Sequence, residues 1–193
     1  MLESPQHADA PVVQIDIVSD VMCPWCIIGY KQLEQALGMV GVGAYVRWHP
    51  FELNPAMPPE GQNLAEHIIE KYGSTPEQSA KNRVQMQKLG NDLGFEFNFT
   101  SDSRIVNTFA AHQLLDWAQE HGLQHPLKMA LFSAHFTEGK NVSDIPTLLD
   151  IASTVGLDRG PRDANNRKPG RRNPHPPAVL DRTWYFRCAR DDL

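Results

Sequence analysis

The sequence is poor in cysteine and has no long apolar stretch, and each lack excludes a class of protein. The chain of 193 residues has three cysteines, Cys23, Cys26 and Cys188, and such an odd, low count does not predict a framework of structural disulfides. Its apolar runs are too short to span a bilayer. Residues 1–11 carry charged side chains without an apolar core, so they do not predict a secretory signal. We therefore expect a cytoplasmic protein with no membrane partner, in which a disulfide would be transient and catalytic.

An excess of positive charge is also missing from the chain as a whole. The formal net charge is -5, which argues against nucleic acid as a partner. The charge is uneven, because residues 1–158 hold 9 basic and 19 acidic side chains, whereas residues 159–193 hold 9 basic and 4 acidic ones. The two parts therefore need separate explanations.

A strand–helix–strand pattern begins the ordered part of the sequence. Residues 12–18 are β-branched and partly alternating, which predicts a strand, and residues 26–37 carry apolar side chains at helical spacing, with Pro24 placed to start the helix. Gly38 is predicted to end that helix. Residues 44–49 predict a second strand, so the segment is typical of a βαβ unit.

Helical patterns fill most of the chain up to residue 155. The predicted helices cover residues 63–72, 75–93, 108–120, 127–137 and 145–155. Residues 95–99 alternate like a strand but are few, so a short strand and a loop with buried aromatic rings both stay open. From residue 159 onward arginine, proline and asparagine dominate, which predicts disorder. The predicted organisation is a βαβ part at 12–61, a helical insertion at 62–150, a return to the first domain at 151–158 and an atypical tail at 159–193.

The pair Cys23 and Cys26 is the chemical feature of the sequence. A CxxC motif that follows a strand and opens a helix is the usual context of a redox-active dithiol. Backbone N–H groups and the dipole at the start of a helix stabilise a thiolate, so we expect a lowered pKa at Cys23, which would attack, and a more buried Cys26, which would resolve the mixed disulfide. Pro24 fixes the turn, and Trp25 is expected to shield the thiols and offer an apolar surface to the substrate.

Two other interpretations of the cysteines stay open at this point. They could be inert buried thiols, or they could supply half of a zinc site. A structural zinc site needs two further ligands, and the sequence has no second cysteine pair. The histidines at 112, 121, 125 and 135 are interpreted as surface or core side chains. We therefore expect no metal and no tightly bound cofactor beyond a redox-active Cys23–Cys26 disulfide.

Several segments together resemble DsbA-family proteins of the FrnE type, described as polyketide-biosynthesis dithiol-disulfide isomerases. The likeness runs from about residue 12 to 158 and is carried by Ile15-Asp16-Ile17-Val18-Ser19-Asp20, Cys23-Pro24-Trp25-Cys26, Ile28-Gly29, Arg47-Trp48-His49-Pro50-Phe51-Glu52-Leu53-Asn54-Pro55, Lys71-Tyr72-Gly73, Asn107-Thr108 with Ala111-His112, Leu131-Phe132 and Phe136-Thr137-Glu138-Gly139. The resemblance implies an α/β, thioredoxin-like fold with an inserted all-helical domain.

The resemblance ends where the composition changes. Members of that family continue with a helix, a Val-Pro whose cis-proline faces the CxxC, two strands and a final helix, none of which is recognisable after Asp158. Our hypothesis is that residues 159–193 are a frame-shifted or otherwise replaced C-terminus, and the alternative is a divergent but functional tail. On this hypothesis the C-terminal part of the thioredoxin-like fold is incomplete, and we expect reduced stability and weak or absent activity.

The expected function is a thiol–disulfide oxidoreductase or isomerase acting on a disulfide-containing protein or a small thiol, with glutathione as a candidate co-substrate. One alternative is a glutathione-dependent isomerase or transferase of the kappa-like group, which carries serine where this chain has Cys23. Another is a degenerate, non-catalytic protein. The sequence does not identify the substrate-binding residues. His49, Glu52 and Asn54 are interpreted as loop-packing residues and Asn107 as a helix N-cap.

Overall fold

The computed structural model describes residues 11–58 and 60–157. Strand β1, Val12–Ser19, leads into helix α1, Pro24–Val40, which returns to strand β2, Gly43–Pro50. The two strands are parallel and in register from Val12 opposite Gly43 to Ser19 opposite Pro50, so the predicted βαβ unit is confirmed.

Helix α1 is longer than the sequence predicted. It continues through Gly38 and ends at Gly41, whose φ of 66° lies in the left-handed region. A glycine inside a helix is tolerated at a modest energetic cost, whereas a left-handed residue at the end of a helix strongly favours glycine. The helix therefore ends at Gly41, three residues beyond the end that was predicted at Gly38.

Five further helices follow, interrupted by a very small antiparallel ladder. The helices are α2, Leu64–Tyr72; α3, Pro76–Asp92; α4, Phe109–Glu120; α5, Gln124–Phe136; and α6, Ile145–Thr154. Between them, β3, Gln62–Asn63, pairs with β4, Arg104–Ile105. The helices were predicted, but strands of two residues are too short to produce the alternation from which a strand is predicted.

One of the two predicted helix caps is confirmed and the other is displaced by one residue. Thr75 and Gln78 form a capping box, with Gln78 N–H donating to Thr75 Oγ1 at 3.2 Å and Thr75 N–H donating to Gln78 Oε1 at 2.8 Å. The N-cap of α4 is Thr108, without a capping side-chain bond, and not Asn107 as predicted, although Asn107 Oδ1 accepts from the N–H of Phe109 at 2.9 Å. The amide of Asn107 also donates to the carbonyl oxygen of Met57, so it ties the loop before α2 to the start of α4.

Helix α5 contacts two hydrophobic clusters with two different faces. Leu127 and Leu131 belong to a cluster built mainly from α4, α5, α6 and the residues around β4. Phe132 and Phe136 belong to a second cluster, in which the side chains of α1, β2 and the aromatic loop meet: Ile27, Ile28, Tyr30, Trp48 and Phe97. The loop at 95–99 thus buries an aromatic ring, as one of the two predicted alternatives has it, and α5 joins the helical part of the chain to the βαβ unit.

Side chains at the start of α5 fix Trp48 of β2 in place. Gln124 Oε1 accepts the Trp48 N–H at 3.0 Å, and its Nε2 donates to the Trp48 carbonyl oxygen at 2.9 Å. The Trp48 indole N–H donates to Nδ1 of His125 at 3.1 Å, so Nε2 of a neutral His125 carries the hydrogen and faces the Tyr30 hydroxyl at 3.1 Å. Burial lowers the pKa of His125, which favours this neutral form.

Some predictions concern residues outside the described ranges. The disordered tail, its proposed frame-shifted origin and Cys188 all lie beyond residue 157. The boundaries at 61, 150 and 158 stay predictions. Within residues 11–58 and 60–157, every peptide bond is trans, and no helix combines the length and apolarity needed to cross a membrane.

Candidate active site: the Cys23–Cys26 dithiol

The two cysteines lie where β1 turns into α1. Cys23 is the residue before the helix, with φ −93° and ψ 109°, and Pro24 occupies the first turn as predicted. The Cys23 N–H donates to the Asp20 carbonyl oxygen at 3.3 Å, and the Cys26 N–H donates to the Cys23 carbonyl oxygen at 3.1 Å. Both thiols are free and partly buried. The motif is therefore held by backbone hydrogen bonds at the start of a helix.

The two thiols share a proton rather than ionising independently. The hydrogen bond between the sulfurs is the largest cause of a raised pKa at Cys23 and of a lowered pKa, about 7, at Cys26. Burial opposes ionisation of both thiols, whereas the Ser19 hydroxyl and the positive charge of Lys128 further stabilise a Cys26 thiolate. The pair therefore releases one proton near neutral pH, and the two sulfurs share the proton that remains.

This distribution of charge differs from the sequence-based expectation. The sequence predicted a lowered pKa at Cys23, because the start of a helix stabilises a thiolate. In the structure the Cys26 N–H also lowers the pKa of Cys23, but the hydrogen bond to the Cys26 sulfur and burial outweigh it. The lowered thiol pKa therefore belongs to the coupled pair and not to Cys23 alone. The prediction that Cys23 attacks and Cys26 resolves concerns a later state, the mixed disulfide, and stays open.

A buried carboxylate supports the turn that presents the thiols. Asp20 is 2% exposed, and its Oδ1 and Oδ2 accept the N–H groups of Met22 at 3.2 Å and Leu53 at 2.7 Å. Nε2 of His112 lies 3.4 Å from Asp20 Oδ1 and 3.1 Å from the Phe51 carbonyl oxygen, so this nitrogen carries a hydrogen. Burial would raise the pKa of Asp20, but the hydrogen bonds from His112, Leu53 and Met22 bring it below its ordinary value.

A buried lysine faces the same region from helix α5. Lys128 is 0% exposed, and its Nζ lies 3.4 Å from the Ser19 carbonyl oxygen. Its ammonium also lies 4.8 Å from the centre of the Phe132 ring and 5.4 Å from that of Trp48. Burial lowers the pKa of Lys128 to about 8, although the negative charges of Cys26, Asp20 and Cys23 act in the opposite direction.

The outer side of the motif carries exposed aromatic rings. Trp25 is 56% exposed and Tyr72, at the end of α2, is 59% exposed. Burial and the nearby Cys23 thiol raise the pKa of Tyr72, so its hydroxyl lies within the electrostatic reach of the first cysteine. The predicted exposed position of Trp25 is seen, while its role toward a substrate stays a prediction.

Comparison with known proteins identifies the fold around this dithiol. A family model described as a DSBA-like thioredoxin domain matches residues 14–168, most of the chain. The chain belongs to the DsbA-like thioredoxin domain family. This match ends at residue 168, past Asp158, where the sequence-based resemblance was placed to end.

Individual DsbA-like relatives support the assignment. The uncharacterized protein YwbO of Bacillus subtilis (strain 168) is 31% identical over 146 residues, which cover 76% of this chain and 68% of that protein. The crystal structure of a probable DsbA oxidoreductase, SCO1869 from Streptomyces coelicolor, superposes with a TM-score of 0.70 at 29% identity. That match covers 75% of this chain and 63% of the Streptomyces chain, so the chain spans less than two thirds of that structure.

The residues that were singled out from the sequence form two groups in the structure: the dithiol motif and the residues predicted to pack the loop after β2. Cys23, Pro24, Trp25 and Cys26 lie together at the start of α1. His49 and Asn54 lie in contacts that fit the predicted packing roles, since Nε2 of His49 is 2.7 Å from Asp16 Oδ1 and Nζ of Lys71 donates to Asn54 Oδ1 at 2.7 Å. Within the described ranges, no group of three or more histidine, cysteine, aspartate and glutamate side chains is arranged to hold a metal ion.

Four residues around the dithiol turn were not predicted as site residues: Ser19, Asp20 and Lys128, which act on the thiols, and His112, which contacts Asp20. Ser19 and Asp20 were quoted only as part of the resemblance, and His112 was interpreted as an ordinary core or surface histidine. A lysine among apolar residues on a predicted helix is usually an exposed side chain. The only available signal was that position 128 lies between Leu127 and Leu131, on the apolar side of the predicted helix.

Proposed function

We propose that the chain is a thiol–disulfide oxidoreductase, with isomerase activity as a further possibility to test, that exchanges disulfides through Cys23-Pro24-Trp25-Cys26. The observation that carries the proposal is the hydrogen-bonded pair of free thiols at the start of α1, in a member of the DsbA-like family. A pKa of about 7 at the pair supplies a thiolate at neutral pH, and the thiolate is the reactive form of a cysteine.

The proposed exchange proceeds through a mixed disulfide. When the shared proton moves to Cys26, the Cys23 sulfur attacks a substrate disulfide, forms one S–S bond and releases a substrate thiolate, which takes up a proton. Cys26 then loses its proton and attacks Cys23, which closes the Cys23–Cys26 disulfide and releases the second substrate thiol. Two electrons pass from the dithiol to the substrate, and the reverse sequence oxidises a substrate dithiol.

The partners follow from this chemistry. We propose a disulfide-containing protein or a small thiol as substrate, glutathione as co-substrate and the cytoplasm as compartment, with neither nucleic acid nor membrane as a partner. Exposed Trp25 and Tyr72 offer aromatic surface beside the thiols for such a substrate. The kappa-like alternative has serine at the position of Cys23, so the presence of two cysteines argues against it.

The test is an assay of insulin reduction and of refolding of scrambled ribonuclease. We expect the first to show reductase activity and the second to show whether the chain is also an isomerase. Cys23→Ala should abolish both, and Cys26→Ala should accumulate a mixed disulfide with glutathione at Cys23, visible by mass spectrometry. Cys188→Ala is the matched control and should keep the wild-type rate. Activity that persists in folded Cys23→Ala would refute the proposal, and an inactive, folded wild-type chain would favour the non-catalytic alternative.

A further inference from the structure

The charge of Lys128 lacks a dedicated partner in the part of the chain that the structure describes. Its ammonium contacts the Ser19 carbonyl oxygen at 3.4 Å and makes no ion pair with a carboxylate among residues 11–58 and 60–157. Asp20 is the nearest candidate by charge, but its two oxygens already accept from Met22 and Leu53 and face His112. A buried charge without a partner is costly, so the position requires a reason other than stability.

The surroundings of Lys128 point to the thiols as that reason. The positive charge of Lys128 lowers the pKa of Cys26, and the thiolates of Cys26 and Cys23 in turn raise the pKa of Lys128. Ser19 links Lys128 to the turn that carries the thiols, since its carbonyl oxygen accepts from Lys128 at 3.4 Å and its hydroxyl donates to the carbonyl oxygen of Asp20 at 3.3 Å. An anion on the Cys26 sulfur therefore supplies the charge that the buried ammonium otherwise lacks.

A small cavity adjoins Lys128. It has a volume of about 10 Å³ and is lined by Lys128, Trp48, His112 and Gln124, among others. A volume of this size is close to the smallest that holds one water molecule, and its lining includes polar side chains. Lys128 is therefore buried beside a space that is large enough for one water molecule.

We propose that Lys128 is a positioning residue for the redox step: it is the counter-ion of the dithiol's thiolate and takes up one of the two protons released when a substrate dithiol is oxidised. The inference rests on the proposed function and deepens it. No step requires an oxidant other than the Cys23–Cys26 disulfide itself.

The step balances in electrons, protons and charge. A substrate dithiol loses two electrons and two protons and becomes a disulfide, while the S–S bond between Cys23 and Cys26 breaks. One proton binds Cys23, which donates it in a hydrogen bond to Cys26, and the other binds the neutral amine of Lys128. The product is a Cys26 thiolate beside a Lys128 ammonium, so the charges of the dithiol and of Lys128 sum to zero before and after the step.

Other titratable groups surround this pair and must be followed in the same experiment. Asp20 and His112 form the hydrogen-bonded pair beside the thiols, Tyr72 lies near Cys23, and His135 lies near Asp20. His49 and Asp116 line the small cavity with Lys128. Of these, Asp20 is anionic well below neutral pH, because its pKa is lowered. It therefore provides a constant field in the neutral range over which the lysine and the thiols exchange a proton.

The decisive measurement on the wild-type chain is a pH titration of the lysine side chains by NMR, with carbon-13 at Cε, in the oxidised and reduced states. We expect the Lys128 midpoint to be lower in the disulfide form, because that form lacks the thiolate that stabilises the ammonium. The other lysines serve as internal controls and should titrate alike in both states. An identical Lys128 titration in the two states would overturn the proposal.

Matched variants test the same coupling from the side of the thiols. Lys128→Met keeps an unbranched side chain of similar size without charge, and Lys88→Met removes an exposed lysine whose Nζ bonds Asp92 at 3.1 Å. At pH 7, we expect alkylation of the dithiol to be roughly three- to tenfold slower in Lys128→Met, with its midpoint moved to higher pH, and unchanged in Lys88→Met. Lys128→Met should also favour the disulfide in a glutathione buffer, since its thiolate is less stabilised.

The outcomes separate this inference from the proposed function. Alkylation and lysine titration require no turnover, so they report on Lys128 even if the chain fails to reduce insulin. An unchanged alkylation profile in folded Lys128→Met would contradict the role of Lys128, whereas a wild-type chain that does not exchange with glutathione disulfide would contradict the proposed function. If Lys128→Met does not fold, the wild-type titration decides the question by itself.

Discussion

The segment from Val12 to Pro50 holds both thiols. The segment from Leu64 to Thr154 holds two buried basic side chains, His112 and Lys128, that contact the turn carrying the thiols. In the first segment the parts of the site are neighbours in sequence, because Ser19, Asp20, Cys23 and Cys26 all lie at one strand-to-helix turn. In the second segment, His112 and Lys128 reach the turn from two different helices, α4 and α5. The comparison shows that the reactive atoms are local in sequence while the charges that tune them are not.

The largest expected effect separates two adjacent residues of α5 that face different clusters. Phe132→Ala should lower the free energy of unfolding by about 3–5 kcal/mol and Leu131→Ala by about 2–5 kcal/mol, because both side chains are fully buried. Only Phe132 provides a ring to the Lys128 ammonium, so only its removal should also change the pH profile of thiol alkylation. Denaturant unfolding and alkylation measure the two effects, and an equal change of the alkylation profile in both variants would break the comparison.

The next effect tests the carboxylate at the boundary of the two segments. Asp20→Ala should cost about 3 kcal/mol of unfolding free energy, because it leaves the buried N–H groups of Met22 and Leu53 without their acceptor and removes the carboxylate beside His112. Asp16→Ala is the matched control on β1: its carboxylate is 42% exposed and pairs with Arg47 at 2.8 Å, so we expect a loss of at most about 1 kcal/mol. Similar losses in the two variants would show that the buried carboxylate of Asp20 contributes no more to stability than the exposed carboxylate of Asp16.

The lowered pKa of Asp20 predicts that the free energy of unfolding decreases in acid. The folded pKa of Asp20 is below its unfolded value, so its contribution to stability is complete above the unfolded value, roughly pH 4, and is lost as pH falls through the lower folded value. Asp20→Asn should flatten the loss of stability in this acid range. Urea unfolding of both chains between about pH 2 and 5 measures it, and parallel curves would count against the assignment.

The reactivity of the dithiol should depend on pH with a midpoint near the lowered thiol pKa. We expect alkylation of the reduced chain to be half-maximal at about pH 7 and to fall with each step of acidification below it, because the thiolate reacts and the thiol does not. A denatured sample supplies the control and should have its midpoint at the higher pH of ordinary thiols. Coinciding midpoints would mean that the folded structure does not lower the thiol pKa.

The smallest expected effect concerns the N-terminal cap of α3, which depends only on residues close to one another in sequence. Thr75→Ala removes the capping box of α3 and should lower the unfolding free energy by about 1 kcal/mol. Ser101→Ala is the control, since the hydroxyl of Ser101 makes only a 3.4 Å contact to Asp102 and its loss should change stability by less than about 0.5 kcal/mol. Thermal unfolding of the wild type and of both variants measures the difference. An unchanged stability in Thr75→Ala would mean that the capping box does not stabilise α3.

The locality of each interaction explains how much of the molecule the sequence could predict. The strand–helix–strand unit, the capping box at Thr75 and the CxxC turn depend on residues a few positions apart, so their patterns are visible in the chain. The contact between Lys128 and Ser19 spans 109 positions and leaves no local pattern. The proton distribution in the dithiol was missed for a related reason, since the helix-dipole argument treats Cys23 alone and omits the neighbouring sulfur, Ser19 and Lys128.

The double hydrogen bond from Gln124 to Trp48 has a consequence for how the sheet can grow. A strand turns the N–H and C=O of one residue toward the same side, and in Trp48 the amide side chain of Gln124 occupies both. Gln124 thereby takes the place of a neighbouring backbone on the side of β2 that carries no strand among residues 11–58 and 60–157. A further strand could not pair with Trp48 on that side while Gln124 holds both groups.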